Sequence, residues 1–272
     1  YKMARPDTYF DTLPPEAISD ELTPLVQELG LTENCRQLAM EGWTVVENAA
    51  DEQFNNQLRE QILQDAKKGD ARMLLARDPV YAQAVLNPKL MALAEFSVGR
   101  GHLISQVAAS VRRKDEPMLG LHADHNWLPA PFPEHNMLLT ACWACDEYTK
   151  ENGATQVIPG SANLRRHPDA GEVEAMAGAV SIECGPGSIV VWDGNIWHSS
   201  GERTAEGERV VCHITYSRLM MRQVEDYREH DERLIEQHGA PMAGLLGHND
   251  GLFSNDGFDY SKLVETFNNA KR

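Results

Sequence analysis

Ser188-Ile189-Val190-Val191-Trp192-Asp193-Gly194-Asn195-Ile196-Trp197-His198-Ser199-Ser200 reads as an apolar β run, a tight Asp-Gly turn, and a second short β run ending in polar residues. Working outward, similar runs recur at Leu103–Arg112, Gly120–Asp124, Met137–Tyr148, Thr155–Ser161, Ala179–Cys184 and Arg209–Leu219. With Ser188–Trp192 and Ile196–Ser200 they make eight short strands separated by turn residues. That pattern predicts a jelly roll, a double-stranded β-helix of cupin-like type, rather than alternating βαβ units. Pro186-Gly187 and Asp193-Gly194 predict hairpin-like connections.

Upstream, the apolar period lengthens to three and four residues. Ile18, Leu22, Leu25, Val26 and Leu29 predict a helix opening near Pro15 and closed by Gly30; further helices are expected from Thr32 to Gly42, Asp51 to Lys68 and Val80 to Val98, the last split at Pro88. Helices are expected again at 224–237 and 260–270. The chain is therefore expected to be mainly β with flanking α-helices. It reads as one domain over 1–272, with a helical buttress (1–102), a jelly-roll core (103–219) and a helical tail (220–272).

Composition narrows the function. The 272 residues carry 25 basic and 41 acidic side chains, a net charge of -16, which opposes a phosphate backbone; no nucleic-acid partner is expected. No apolar run approaches membrane-span length, so no membrane partner is expected either. The five cysteines are scattered and odd in number, which points to a cytoplasmic, reducing setting. Oligomeric state leaves no trace in the sequence.

Four triplets have the His-x-Asp/Glu form: His122/Asp124, His167/Asp169, His230/Glu232 and His248/Asp250. Two imidazoles and one carboxylate on one face of a metal leave adjacent positions open, the arrangement of non-haem iron(II) oxygenases. Residues two apart diverge on a helix, which disfavours His230/Glu232. His248/Asp250 lies in a loop with no later histidine, and Pro168 follows His167. In a strand, His122 and Asp124 share a face across the small Ala123. His198, leading into a later β run, best completes the set; His213 is the competitor and suits an outer role on the face of Arg209. Arg209 suits a carboxylate clamp through bidentate contact, with the Ser200 hydroxyl beside it and Arg218 as the next candidate.

Leu121-His122-Ala123-Asp124, Glu151-Asn152-Gly153-Ala154-Thr155-Gln156-Val157-Ile158-Pro159-Gly160-Ser161, and Trp197-His198-Ser199-Ser200-Gly201 with Arg209 together resemble the phytanoyl-CoA dioxygenase family over roughly 103–219. The resemblance implies iron(II) held by His122, Asp124 and His198. It implies 2-oxoglutarate bound by Arg209 and Ser200 with help from Thr155, dioxygen as oxidant, and a small-molecule substrate hydroxylated at an unactivated C–H bond. Many relatives have Gln three residues before the first ligand; here that position is Leu119, and Gln106 on the preceding strand is the substitute expected. Desaturation, ring formation and epimerisation use the same ligands. A non-catalytic jelly-roll binding protein and a cupin using another divalent ion are the rivals; Arg209 argues against the first, and the lack of a His-x-His pair against the second.

Trp127 and Phe132 lie in the Pro-rich loop 126–136 after the metal-bearing run, where a pocket wall is expected. Cys142-Trp143-Ala144-Cys145 has redox-dithiol spacing, but in a strand its thiols should face opposite sides.

Overall fold

The computed structural model describes residues 13–69 and 71–249. In chain order the elements are α1 (Thr23–Glu28), α2 (Thr32–Glu41), β1 (Trp43–Val46), α3 (Glu52–Lys67), α4 (Pro79–Val85), α5 (Pro88–Val98), β2 (Leu103–Arg113), β3 (Leu138–Ala144), β4 (Thr155–Val157), α6 (Ala170–Ala175), β5 (Val180–Ser181), β6 (Ser188–Asp193), β7 (His198–Ser200), β8 (Glu208–Ser217) and α7 (Asp231–Leu245). The strands form a five-stranded sheet, β1-β6-β3-β8-β2, and a three-stranded sheet, β5-β4-β7. Every pairing between named strands is antiparallel. The fold is mainly β with flanking helices, as expected for a jelly roll, although among the described residues the two sheets are not hydrogen-bonded into a closed barrel.

Alternation along the long strands sorts side chains into two layers. Val107, Val210, Cys212, Ile214 and Tyr216 face the helices and pack on Leu58, Ile62, Tyr81, Leu93 and Phe96. Cys142, Val190 and Val211 face the smaller sheet and meet Val157 and Ile182. Each fully buried aliphatic side chain here contributes roughly 1.5–3 kcal/mol. The layer between the sheets is the one that opens onto the candidate site.

Several local expectations change. The first helix begins only at Thr23, because Pro24 lies in its first turn and Ser19 instead closes turns, accepting from the Leu22 and Thr23 amides. β1 was not expected. It follows Gly42, whose φ of +84° ends α2, and pairs with β6 from Trp43↔Trp192 to Val46↔Ile189. Pro186-Gly187 and Asp193-Gly194 do not close hairpins; each carries the chain from one sheet to the other. Residues 224–230 are not helical. The buried Glu225 carboxylate accepts from the Val107 and Met73 amides, at 2.8 and 2.7 Å, and so occupies the free edge of β2; α7 starts only at Asp231. The helix expected at 260–270 lies outside the described residues.

Gly120–Asp124 does not form a ladder either. His122 makes an isolated bridge to His198, with amide-to-carbonyl bonds of 3.0 and 2.8 Å, before the chain turns at Asn126 and Leu128. The alternation survives. Leu121, Ala123 and His125 are buried on one side, while His122 and Asp124 are half-exposed on the other.

Candidate metal centre and carboxylate pocket

The bridge between His122 and His198 stacks two imidazoles with ring centres 4.3 Å apart and sets Asp124 between them. His122 Nε2 lies 3.6 Å and His198 Nε2 3.5 Å from Asp124 Oδ1. One ligand atom from each residue falls within 4.8 Å of the others, a spacing that suits a single ion. Each imidazole is oriented through its other nitrogen: His122 Nδ1 donates to Gly120 O at 2.8 Å and His198 Nδ1 to Ile196 O at 3.2 Å, which leaves both Nε2 lone pairs facing inward.

Asp124 is held from behind. Its Oδ2 accepts from the Thr140 hydroxyl at 2.8 Å and from Trp192 Nε1 at 3.1 Å, leaving Oδ1 to the site. Thr140 and Trp192 are cross-strand partners on β3 and β6, so one register supplies both contacts. Burial by itself would raise the Asp124 carboxyl; the neighbouring imidazoles and the Thr140 hydroxyl outweigh it and hold the group well below the usual carboxylate range. Burial pushes His198 down, toward the neutral form a metal requires. Half-buried His213 is pushed down to about 4 by burial and by Arg209, and its Nε2 lies 3.2 Å from Ser110 Oγ. Two oriented imidazoles and one ionised carboxylate fit iron(II) by donor chemistry.

Two residues beyond His198 on β7, roughly 7 Å along the strand, the polarity reverses. Arg209 is almost fully buried; its Nη1 donates to Gly153 O, its guanidinium carbon lies 4.8 Å above the Tyr148 ring, and its Nε has no partner. Directly across the β2–β8 pair stands Arg112, whose Nη1 donates to Ser200 Oγ at 2.7 Å and whose Nε is also buried without a partner. Among the described residues no carboxylate pairs with either arginine. Ser200 Oγ accepts again from Leu119 N at 2.6 Å, so its hydroxyl proton is left to donate. The Thr155 hydroxyl, 2.6 Å from Tyr148 OH, belongs to the same cluster. Like charges in register with orphaned N–H groups make a receptor for an anion.

The other expected residues fall as follows. Gln106 sits on β2 at an irregularity in the β2–β8 register, partnered with Thr215, which itself pairs with Thr140. Trp127 is 73% exposed. Phe132 is fully buried between the edges of His125 and His167, at 5.4 and 4.8 Å, and so meets the metal-bearing segment through His125. Arg218 donates to Asn136 O and Ser97 O, partners outside the Ser200 cluster. Cys142 and Cys145 are buried in opposite layers, and burial pushes both thiols up. Sequence reading missed Thr140, Trp192 and Arg112. All three act through cross-strand pairing, which leaves no local pattern.

The family model for phytanoyl-CoA dioxygenase (PhyH) matches residues 20–211. The chain belongs to the phytanoyl-CoA dioxygenase family. Among curated relatives, "Dioxygenase af480" of Aspergillus fumigatus is 33% identical over 167 residues, covering 61% of this chain and 53% of that protein. "Uncharacterized protein Rv1501" of Mycobacterium tuberculosis is 23% identical over 194 residues, 70% of each chain. The chain thus spans about half the length of the first of these. Among solved structures, HygX from Streptomyces hygroscopicus with nickel and 2-oxoglutarate bound superposes with a TM-score of 0.59 at 15% identity, covering 76% of this chain and 89% of HygX. The iron-bound form gives 0.58 at 14% with the same coverage.

Proposed function

We propose that this protein is an iron(II)- and 2-oxoglutarate-dependent dioxygenase that hydroxylates an unactivated C–H bond of a small organic molecule. One atom of dioxygen enters the product, while the other enters succinate as 2-oxoglutarate loses carbon dioxide. The observation that carries the reading is the pairing of a two-histidine, one-carboxylate cluster with a carboxylate-free arginine pocket two strand residues away. A structural metal site has no need of that second feature. HygX, a fold relative described with 2-oxoglutarate bound, supports the same reading.

In this scheme His122, Asp124 and His198 hold iron(II), which when bound supplies dioxygen activation coupled to co-substrate decarboxylation. Arg209 and Ser200 bind the distal carboxylate of 2-oxoglutarate, Thr155 and Tyr148 close that end, and Arg112 adds a second positive charge. Gln106 faces the co-substrate from β2. Trp127 stands on the substrate side, with Phe132 buttressing His125 behind it. We read residues 1–272 as one oxygenase domain. No helix among the described residues is long and apolar enough to cross a membrane. The charge of -16 supports a small-molecule partner over nucleic acid, and the odd number and scatter of the five cysteines support a cytoplasmic setting.

The test is anaerobic titration with iron(II) and 2-oxoglutarate. The expected result is one equivalent of each and a weak visible charge-transfer band, absent in His122→Ala and His198→Ala. Full iron affinity in both variants would refute the ligand set.

A further inference from the structure

We infer that the substrate is an uncharged, predominantly apolar molecule, seated on a rim made by Met118, Leu119 and Trp127. The inference rests on the oxygenase reading for where chemistry occurs. Pro117–Pro133 contains no ionisable side chain except His122, Asp124 and His125, in a chain where 24% of residues are charged. Within that stretch Met118 is 52%, Leu119 59% and Trp127 73% exposed, whereas Leu121, Ala123 and Phe132 are buried.

These residues flank the metal ligands along the chain. Leu119 lies three residues before His122 and Trp127 three after Asp124, and three extended residues span at most roughly 11 Å. Leu119 is fixed at the mouth, since its amide donates to Ser200 Oγ and its carbonyl accepts from Ser200 N at 3.2 Å. The cluster is open on this side: the side chains of His122 and Asp124 are 24% and 20% exposed, against 6% for His198.

Large apolar side chains held in water beside a reactive centre mark a surface that is covered when its ligand arrives. A charged substrate would need a counter-ion at this mouth, and apart from the metal ligands and His125 the stretch offers none. Arg112, whose guanidinium reaches the start of this stretch, already donates to Ser200 Oγ and to the Glu116 and Pro117 carbonyls. Desolvating an unpaired charge against Trp127 and Leu119 would oppose binding.

The test uses Nile red as an uncharged apolar probe, with dodecanol, dodecanoate and dodecylammonium as competitors below their aggregation limits. The protein is loaded anaerobically with iron(II) and 2-oxoglutarate. Nile red should bind one per chain with blue-shifted emission, and dodecanol should displace it at least tenfold more effectively than either charged analogue. Trp127→Asp and Met118→Asp should each weaken the probe roughly tenfold or more while leaving the charge-transfer band intact. Equal displacement by a charged analogue, or unchanged probe binding in both variants, overturns the inference. So does light scattering that shows a dimer which the Trp127→Asp change dissociates, because the rim would then be a contact between copies. Loss of the band with selective probe binding retained would fail the oxygenase reading alone.

Discussion

Asp124 divides its two oxygens between two tasks, with Oδ1 turned to the imidazoles and Oδ2 tied to Thr140 and Trp192. Groups that orient a metal ligand commonly set affinity by roughly 10–100-fold. Thr140→Val keeps shape and removes the hydroxyl, so iron(II) affinity should fall by about that factor, read by titration of the charge-transfer band. An unchanged midpoint would assign the orientation to Trp192 alone. Arg209→Ala should raise the 2-oxoglutarate concentration needed for half-saturation about a hundredfold, the loss of a charge-assisted contact of roughly 2–3 kcal/mol. Iron affinity measured without co-substrate should stay the same. If the co-substrate requirement does not move, the distal carboxylate is held elsewhere, with Arg112 the first alternative.

At the scale of the element, the turn between β6 and β7 governs where His198 stands. A Cβ built on Gly194 would meet His125 Nε2 at 2.6 Å and Leu138 O at 2.9 Å, so any side chain must push the His125 ring or the β3 backbone. Gly194→Ala should destabilise the protein by about 1–3 kcal/mol, as overpacking does. Because the turn leads directly into His198, iron affinity should fall as well. A drop in melting temperature with wild-type iron binding would show that the turn shift is absorbed before β7. The Cys142–Cys145 segment makes the opposite kind of prediction. Its thiols face different layers of β3 and are pushed up by burial, so Cys142→Ala and Cys145→Ala should cost only packing energy and leave turnover per folded molecule intact. Activity lost in both variants with normal stability would restore a redox role.

For the molecule as a whole, acid sensitivity follows from buried imidazole. His102 sits between α5 and β2, its Nδ1 3.1 Å from Gly99 O and its ring edge-on to Tyr216, and burial pushes it down from 6.5 to about 4. Between those values the unfolded chain holds a proton that the folded chain lacks, so stability is lost as pH falls from about 6.5 to about 4 and is flat above. The full window is worth on the order of 3 kcal/mol. In the apoprotein, His102→Phe should shallow the decline of melting temperature between pH 7 and pH 5; parallel declines would place the sensitivity in other groups.

Local chemistry determined much of this protein. Period-two runs marked β2, β3, β6 and β8, Pro88 divided α4 from α5, and the β-type run around His122 and Asp124 set that triplet apart from three in helix, loop or pre-proline context, because these signals come from a residue's own neighbours in the chain. Charge chemistry and spacing singled out Arg209 and Ser200 as candidates, and the resemblance to the family added Thr155. Tertiary structure alone decided the rest. The single bridge between His122 and His198 replaced an expected strand, β1 took the free edge of β6, and Glu225 held residues 224–230 out of a helix. Thr140 and Trp192 met behind Asp124, and Arg112 came to face Arg209, because antiparallel register sets those neighbours. Register joins residues about 50 to 100 positions apart through backbone hydrogen bonds that every residue type except proline can make, so side-chain pattern along the chain carries no record of the partner.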